Sequence, residues 1–253
     1  MAMRLEDVIK EVETIRDTMS SILANESQNV ISGVLADLND QKKKRDALAK
    51  KAPKPPWKVT IKPTQPLLFI GTDEEAAVKH NLKVDLACAI SQPNKSGMAQ
   101  GDHNIAVRVW SKDDTTYFRD ALDAETLRAP LEAQKRRVML RFHFDLGNKD
   151  QEGPRHHLQI GGKGQAADYA WLPENWKLPR FAHHPVNLAL VCEFIGRTFF
   201  PKAFARIAEE PTWKSAVLAA EKTYLLPFLD AIPYVTVDSD RHSATFLSWA
   251  WNA

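Results

Sequence analysis

The spacing of apolar residues changes near residue 57, and this change limits what the chain can fold into. Before it, six apolar residues recur at alternating steps of three and four, the spacing of a heptad helix: Leu5, Val8, Val12, Ile15, Met19 and Ile22. After it, the segments WKVTI, NLKVDLACAIS and NIAVRVWS alternate apolar with polar residues, which is typical of half-buried β-strands. The sequence therefore predicts an N-terminal helical region followed by a sheet.

The first 50 residues are predicted to form a helical hairpin. The segment ANESQN interrupts the heptads before a second apolar series begins at Val30, so one long helix with a break is the alternative. Three heptads are short for an isolated coiled coil. The hairpin therefore either packs on its own domain or forms an arm that binds a protein partner or a second copy in a homodimer. The chain is therefore predicted to consist of an arm at 1–50, a basic Pro-rich linker at 51–56 and an α+β domain at 57–253.

Runs of strand and runs of helix are segregated along the rest of the chain. Two more alternating segments, RRVMLRFHFDLG and RHHLQIGG, are followed by HHPVNLALVCEFIGRTFF, which is apolar on nearly every side and has Pro185 placed for a first helical turn. Shorter helices are expected after Pro201 and Pro211, a further short helix at 122–134, and a return to strand after residue 233. This order indicates an α+β fold with an antiparallel sheet of about four to six strands and a C-terminal helical layer.

Several function classes have no sequence motif to support them. The chain lacks a Walker loop, GxGxxG, GxSxG, HExxH and paired CxxC motifs. Cys88 and Cys192 lie in apolar runs, which predicts buried free thiols. The N-terminus is charged and no 18-residue apolar span occurs, so we expect a cytoplasmic protein without a membrane segment.

The segment from 41 to 63 is strongly basic although the whole chain carries a net charge of only +2. Nine basic residues face one acidic residue, Asp46: Lys42, Lys43, Lys44, Arg45, Lys50, Lys51, Lys54, Lys58 and Lys62. The segment is either a solvated linker or a patch that contacts phosphates of RNA or DNA. Trp57 at its end could stack on a base or anchor the first strand.

The stretch RFHFDLGNKDQEGPRHHLQIGG carries the candidate site. Period-two alternation places Arg141, His143 and Asp145 on one face of a strand, and His157 and Gln159 on one face of the next. If the two strands pair in matching phase, these five side chains form one polar cluster, and a one-residue slip would replace His157 with the preceding histidine.

Three interpretations of this cluster remain open. Two imidazoles and an arginine could catalyse acid–base cleavage of a phosphodiester without a metal. His143, Asp145 and His157 could instead ligate a divalent metal, the one cofactor considered. The cluster could also be the ordinary polar face of a sheet.

The remaining histidines are assigned structural positions. The pair His183 and His184 precedes a proline and is most simply a helix start. We expect His80, His103 and His242 at the surface.

Three segments between residues 141 and 201 carry a resemblance: FHFDLG, GPRHHLQIGG and HHPVNLALVCEFIGRTFFP. They resemble a set of uncharacterised bacterial proteins that share an FD strand, an HHL strand ending in Gly-Gly and a helix ending in Phe-x-Pro. The FD and HH elements are also similar to those of small toxin halves of toxin–antitoxin pairs. Those toxins carry more histidines after the FD strand, and LGNKDQEG here has none.

The resemblance implies a bacterial or mobile-element origin and a role in antiviral defence or growth control. We therefore expect a component of a defence or toxin–antitoxin type module that acts on nucleic acid, ribonuclease-like in its chemistry. The alternative is a non-enzymatic adaptor or antitoxin-like protein that works through the helical arm.

Overall fold

The computed structural model describes residues 4–48, 53–70, 82–92, 103–111, 138–146, 156–160 and 180–229. The helices are Leu5–Thr18 (α1), Asn25–Asp46 (α2), Leu188–Phe199 (α3), Pro201–Glu209 (α4) and Pro211–Ala220 (α5), and α5 continues into a π-helical turn at Glu221–Leu225. The strands are Lys58–Ile61 (β1), Leu67–Ile70 (β2), Leu82–Ser91 (β3), His103–Ser111 (β4), Val138–Leu146 (β5), His156–Ile160 (β6) and Arg180–Ala182 (β7). The helix expected at 122–134 and the strand expected after residue 233 lie outside the described residues.

All strand pairs in the sheet are antiparallel, in the order β1-β3-β4-β5-β6-β7. β2 also pairs with β3, farther along the edge that β1 occupies. The predicted α+β class, the antiparallel sheet and the C-terminal helices are confirmed. β2 and β7 were not predicted, because runs of three or four residues are too short to establish a period of two.

One face of the sheet is apolar and packs against the helices. Its buried residues come from the alternating positions of the central strands: Val84, Leu86, Cys88, Ile90, Ile105, Val107, Val109 and Phe144. The Phe142 ring meets the Phe194 and Phe199 rings of α3 at centroid distances of 5.1 and 6.2 Å. The opposite face of these strands therefore carries the polar positions of the alternation.

The heptad seam is buried inside this same core. All six seam residues named above are at most 3% exposed, and α1 contacts α3 and α5 as well as α2. The link between the helices is bonded to β2, since Ala24 N donates to the Leu68 carbonyl at 2.8 Å and Ile70 N donates to the Ile22 carbonyl at 2.8 Å. The predicted hairpin is confirmed, but its seam faces its own domain. The seam therefore packs on its own domain, which is one of the two predicted arrangements, while the division of the chain at 51–56 stays a prediction.

The beginning of α3 is fixed by a buried polar contact with α1. Asn187 caps the helix by accepting a hydrogen bond from Leu190 N at 3.1 Å, so the helix begins after Pro185 rather than on it. Glu11 of α1 accepts hydrogen bonds from Asn187 Nδ2 at 2.7 Å and Ala189 N at 3.1 Å. A carboxylate at a helix N-terminus also interacts favourably with the helix dipole.

Both cysteines are buried free thiols, as predicted. Burial raises the pKa of Cys88 to about 12 and raises the pKa of Cys192 well above its ordinary value. Both side chains are therefore protonated at neutral pH, which suits a packing role and not a nucleophilic one.

Candidate active site

The register of β5 and β6 brings the five predicted site residues onto one face. His143 pairs with Gln159 and Asp145 pairs with His157, so the predicted matching phase of the two strands is the observed one. Arg141 lies one position farther along the same face of β5. Directly opposed side chains on such a face lie about 4.5–5.5 Å apart at Cβ, and diagonal neighbours about 7–8 Å apart.

β4 and β3 extend the polar face beyond the predicted set. Asn104 pairs with Asp145, and Arg108 pairs with both Arg141 and Asp85. The sequence analysis missed Asn104, Arg108 and Asp85 as members of this cluster. The sequence does contain a signal for them, because all three alternate with the apolar residues of their own strands and therefore face the polar side of the sheet.

A hydrogen bond to Asn104 fixes the orientation of the His143 ring within the cluster. Its Nε2 lies 3.0 Å from the Asn104 Oδ1, and because an amide oxygen only accepts, Nε2 carries the proton and Nδ1 keeps a lone pair. Burial lowers the pKa of His143, and the charges of Arg141 and His157 lower it further, while Asp145 acts in the opposite direction. The ring is therefore neutral at pH 7 and can accept a proton at Nδ1.

Arg108 and Asp85 form an ion pair beside the cluster. Arg108 Nε lies 2.8 Å from the Asp85 Oδ1, and the two side chains are 15% and 5% exposed. Arg108 Nη2 also donates to the Pro63 carbonyl at 3.4 Å. The carboxylate of Asp85 thus holds Arg108 at one side of the cluster, next to Arg141 on the neighbouring strand.

His157 is buried at 3% exposure, while the other four predicted residues are half-buried. Within the described ranges, no three His, Cys, Asp or Glu side chains are placed to share a metal ion. His143, Asp145 and His157 therefore lie on neighbouring positions of the paired strands, but their side chains are not arranged to bind one metal ion. The arrangement suits acid–base chemistry by two imidazoles with an adjacent carboxylate and guanidinium.

A second group of histidines lies on the helix side of the sheet. His103 is 3% exposed, which corrects its predicted surface position, and its ring meets the His156 ring edge-on at 5.8 Å. The His183 ring packs on Phe144 at 5.2 Å and on the His184 ring at 4.3 Å. His183 and His184 precede α3 as predicted, but they point toward the apolar side of this helix. Burial lowers the pKa of both residues.

The basic segment is divided between structural and exposed positions. Arg45 donates to the Pro55 carbonyl at 2.8 Å and to the Gln92 Oε1 at 3.2 Å, and Lys44 pairs with Asp40 at 2.6 Å. Trp57 is 2% exposed, so its ring cannot stack on a base. This corrects its predicted nucleic-acid contact, because the indole instead anchors the first strand in the core.

Other predicted nucleic-acid contacts fall in two groups. Lys42, Lys43 and Lys54 are at least partly accessible. Lys50 and Lys51 lie outside the described residues.

The chain matches no protein-family model, no curated protein and no solved structure at a significant level. No described helix is both long enough and apolar enough to cross a membrane.

Proposed function

We propose that the protein is a metal-independent, ribonuclease-like enzyme that cleaves RNA at the polar face of its sheet. The observation that supports this is the arrangement around His143, a neutral imidazole with a lone pair at Nδ1, diagonal across the strand pair from a second imidazole, His157. A diagonal separation of roughly 7–8 Å leaves room for one phosphodiester between the two rings.

The proposed reaction needs a base, an acid and a stabiliser of phosphate charge. His143 Nδ1 accepts the proton of the ribose 2′-hydroxyl, and the 2′-oxygen attacks phosphorus as the bond to the 5′-oxygen breaks. His157 lies beside Asp145 and is buried in the free protein, so RNA binding must uncover its ring before it donates a proton to the departing 5′-oxygen. Arg141 lies on the same face, where a guanidinium stabilises the negative charge that develops on the phosphoryl oxygens. The products are a 2′,3′-cyclic phosphate and a 5′-hydroxyl.

The test compares isosteric variants on an RNA oligonucleotide in the presence of EDTA. We expect wild-type protein to cleave RNA and to leave a 2′-deoxy oligonucleotide of the same sequence intact, because the nucleophile is absent. His143→Gln and His157→Gln should each lower the cleavage rate by about 10²–10⁴-fold. His184→Gln is the matched control, since this half-buried histidine packs on His183, which in turn packs on Phe144 of the apolar face.

Two results would contradict the proposal. Folded His143→Gln and His157→Gln proteins with wild-type rates would exclude these imidazoles from the reaction. Activity that disappears in EDTA and returns with a divalent cation would replace the acid–base mechanism with a metal-dependent one.

We further place this activity in a bacterial defence or toxin–antitoxin type module, on the basis of the resemblance of residues 141–201. A toxic ribonuclease of this kind stops growth by degrading transcripts. Induced expression of the wild type should therefore arrest bacterial growth, while His143→Gln expressed to the same level should not. Equal growth of the two strains would count against this context.

A further inference from the structure

A polar cleft of about 310 Å³ lies between the start of α1, the end of α2 and the chain next to β1 and β3. Basic and acidic side chains line it: Arg4, Lys42, Arg45, Lys54, Glu6 and Asp46. Four positive charges against two negative ones leave an excess of two positive charges, which favours an anionic ligand. The fold thus brings Arg4, from the beginning of the chain, beside the basic segment.

The walls of this cleft, which we call the basic cleft, differ in rigidity. Arg45 is held by the Pro55 carbonyl and the Gln92 side chain, and Gln92 N in turn donates to the Trp57 carbonyl at 2.9 Å. Arg4 pairs with Asp7 at 3.2 Å, but the two side chains are 70% and 43% exposed. Such exposed pairs contribute little free energy, so a phosphate can compete for Arg4.

We propose that the basic cleft binds the phosphate backbone of a single-stranded nucleic acid whose scissile phosphate lies at His143, an inference that rests on the proposed function. A cleft of about 310 Å³ has room for a phosphate group and its sugar. Sequence-tolerant contacts of this kind are typical of single-strand binding.

The basic cleft and the candidate site lie on opposite faces of the sheet. Gln92 continues the phase of the core residue Ile90 on β3, whereas His143 is level with Ala87 and faces the polar side. Two strand spacings and five residues correspond to about 20 Å within the sheet. A single strand that reaches both places must therefore span more than this distance and pass around an edge of the sheet.

The experiment measures binding of a fluorescent single-stranded 2′-deoxy oligonucleotide, a probe that the proposed reaction cannot cleave. Fluorescence anisotropy is recorded over a series of salt concentrations. The double variant Lys42→Gln/Lys54→Gln should weaken binding by about tenfold at low salt and reduce the slope of log K against log salt by about 1.4, which is the effect of two lost single-strand phosphate contacts. Lys43→Gln/Lys44→Gln removes the same charge from exposed positions of α2 that do not line the cleft, and it should bind like the wild type.

Each outcome separates the basic cleft from the catalytic proposal. Equal weakening by both double variants would indicate diffuse attraction of the oligonucleotide to the basic helix. If the wild type does not bind the oligonucleotide, a single-stranded nucleic acid is not the ligand of the basic cleft. Either result overturns the inference. His143→Gln should bind the probe normally, because its loss affects cleavage alone. A wild type that binds through Lys42 and Lys54 but does not cleave RNA refutes the proposed function and leaves the basic cleft as a binding site.

Discussion

Two buried groups should make the free energy of unfolding depend on pH in opposite directions. Burial lowers the pKa of His103 to about 4, against a weaker opposing effect of the Val186 carbonyl. Burial raises the pKa of Glu11 to about 7, against the hydrogen bonds from Ala189 and Asn187. Both residues lie in the region where α1, the end of the sheet and the start of α3 meet, so folding removes both from water.

The size of each effect follows from the folded and unfolded pKa values. Between pH 6.5 and pH 4, the unfolded chain protonates His103 and the folded chain does not, so lowering the pH from 7 to 5 reduces the free energy of unfolding by about 2 kcal/mol. Between pH 4.5 and pH 7, the folded chain protonates Glu11 and the unfolded chain does not. The same acidification therefore raises the free energy of unfolding by about 2 kcal/mol, and this stabilisation is lost as the pH rises through 7.

The two contributions nearly cancel in the wild type, so single substitutions should reveal them. Relative to the wild type, His103→Leu should become about 2 kcal/mol more stable when the pH is lowered from 7 to 5, and Glu11→Gln about 2 kcal/mol less stable. Apart from the weak interaction with the Val186 carbonyl, neither nitrogen of the buried His103 ring has a hydrogen-bond partner among the described residues. At pH 7 the leucine variant should therefore be at least as stable as the wild type.

Urea denaturation followed by circular dichroism at pH 7, 6 and 5 measures these differences. Subtracting the wild-type value at each pH cancels the titration of all other groups, and the double variant His103→Leu/Glu11→Gln should follow the wild-type pH dependence. If the His103→Leu difference is the same at all three pH values, the ring titrates normally in the folded state. The inference that His103 is sealed in the core would then be wrong.

Two further substitutions test the packing of the helices and the ion pair beside the candidate site. A methyl group on Gly196 would lie 2.1 Å from the buried Phe204 ring, so Gly196→Ala should lower the free energy of unfolding by about 1–3 kcal/mol. The control Gly33→Ala, where the added carbon meets nothing within 4 Å, should raise it by about 0.5–1 kcal/mol, and equal effects in thermal melts would contradict this packing. Asp85→Asn removes a charge partner of the half-buried Arg108 and should destabilise by about 3 kcal/mol. A change below about 0.5 kcal/mol in urea denaturation would show that the pair is screened by solvent.

The alternation of apolar and polar residues along the strands determines several side-chain positions in this structure, including one that was predicted wrongly. The positions of Phe144 and Trp57 follow from the period of two, and so does the common face of His143 and Asp145. His103 was assigned to the surface although it shares the phase of Ile105, and that phase places it on the apolar face. A histidine beside an apolar run is therefore better assigned by strand phase than by its average polarity.

The heptad pattern of α1 could not have specified what covers it. Residues such as Val8 and Ile15 require an apolar surface at their spacing, but a sheet, other helices or a second chain satisfies that requirement equally. The contacts with α3 and α5 join residues more than 160 positions apart, as between Glu11 and Asn187. Local periodicity predicts that a face is buried, and only the tertiary structure determines by which element.

One strand register determines both the core and the candidate site. His156 and His157 are adjacent in sequence and are both buried, but they face opposite sides of the sheet, one toward the His103 ring and one beside Asp145. Leu158 packs against the core, so a one-residue slip would expose it and exchange the two histidines. The apolar positions of β6 thus hold the site in register, and the polar residues need no strong interaction of their own to remain aligned.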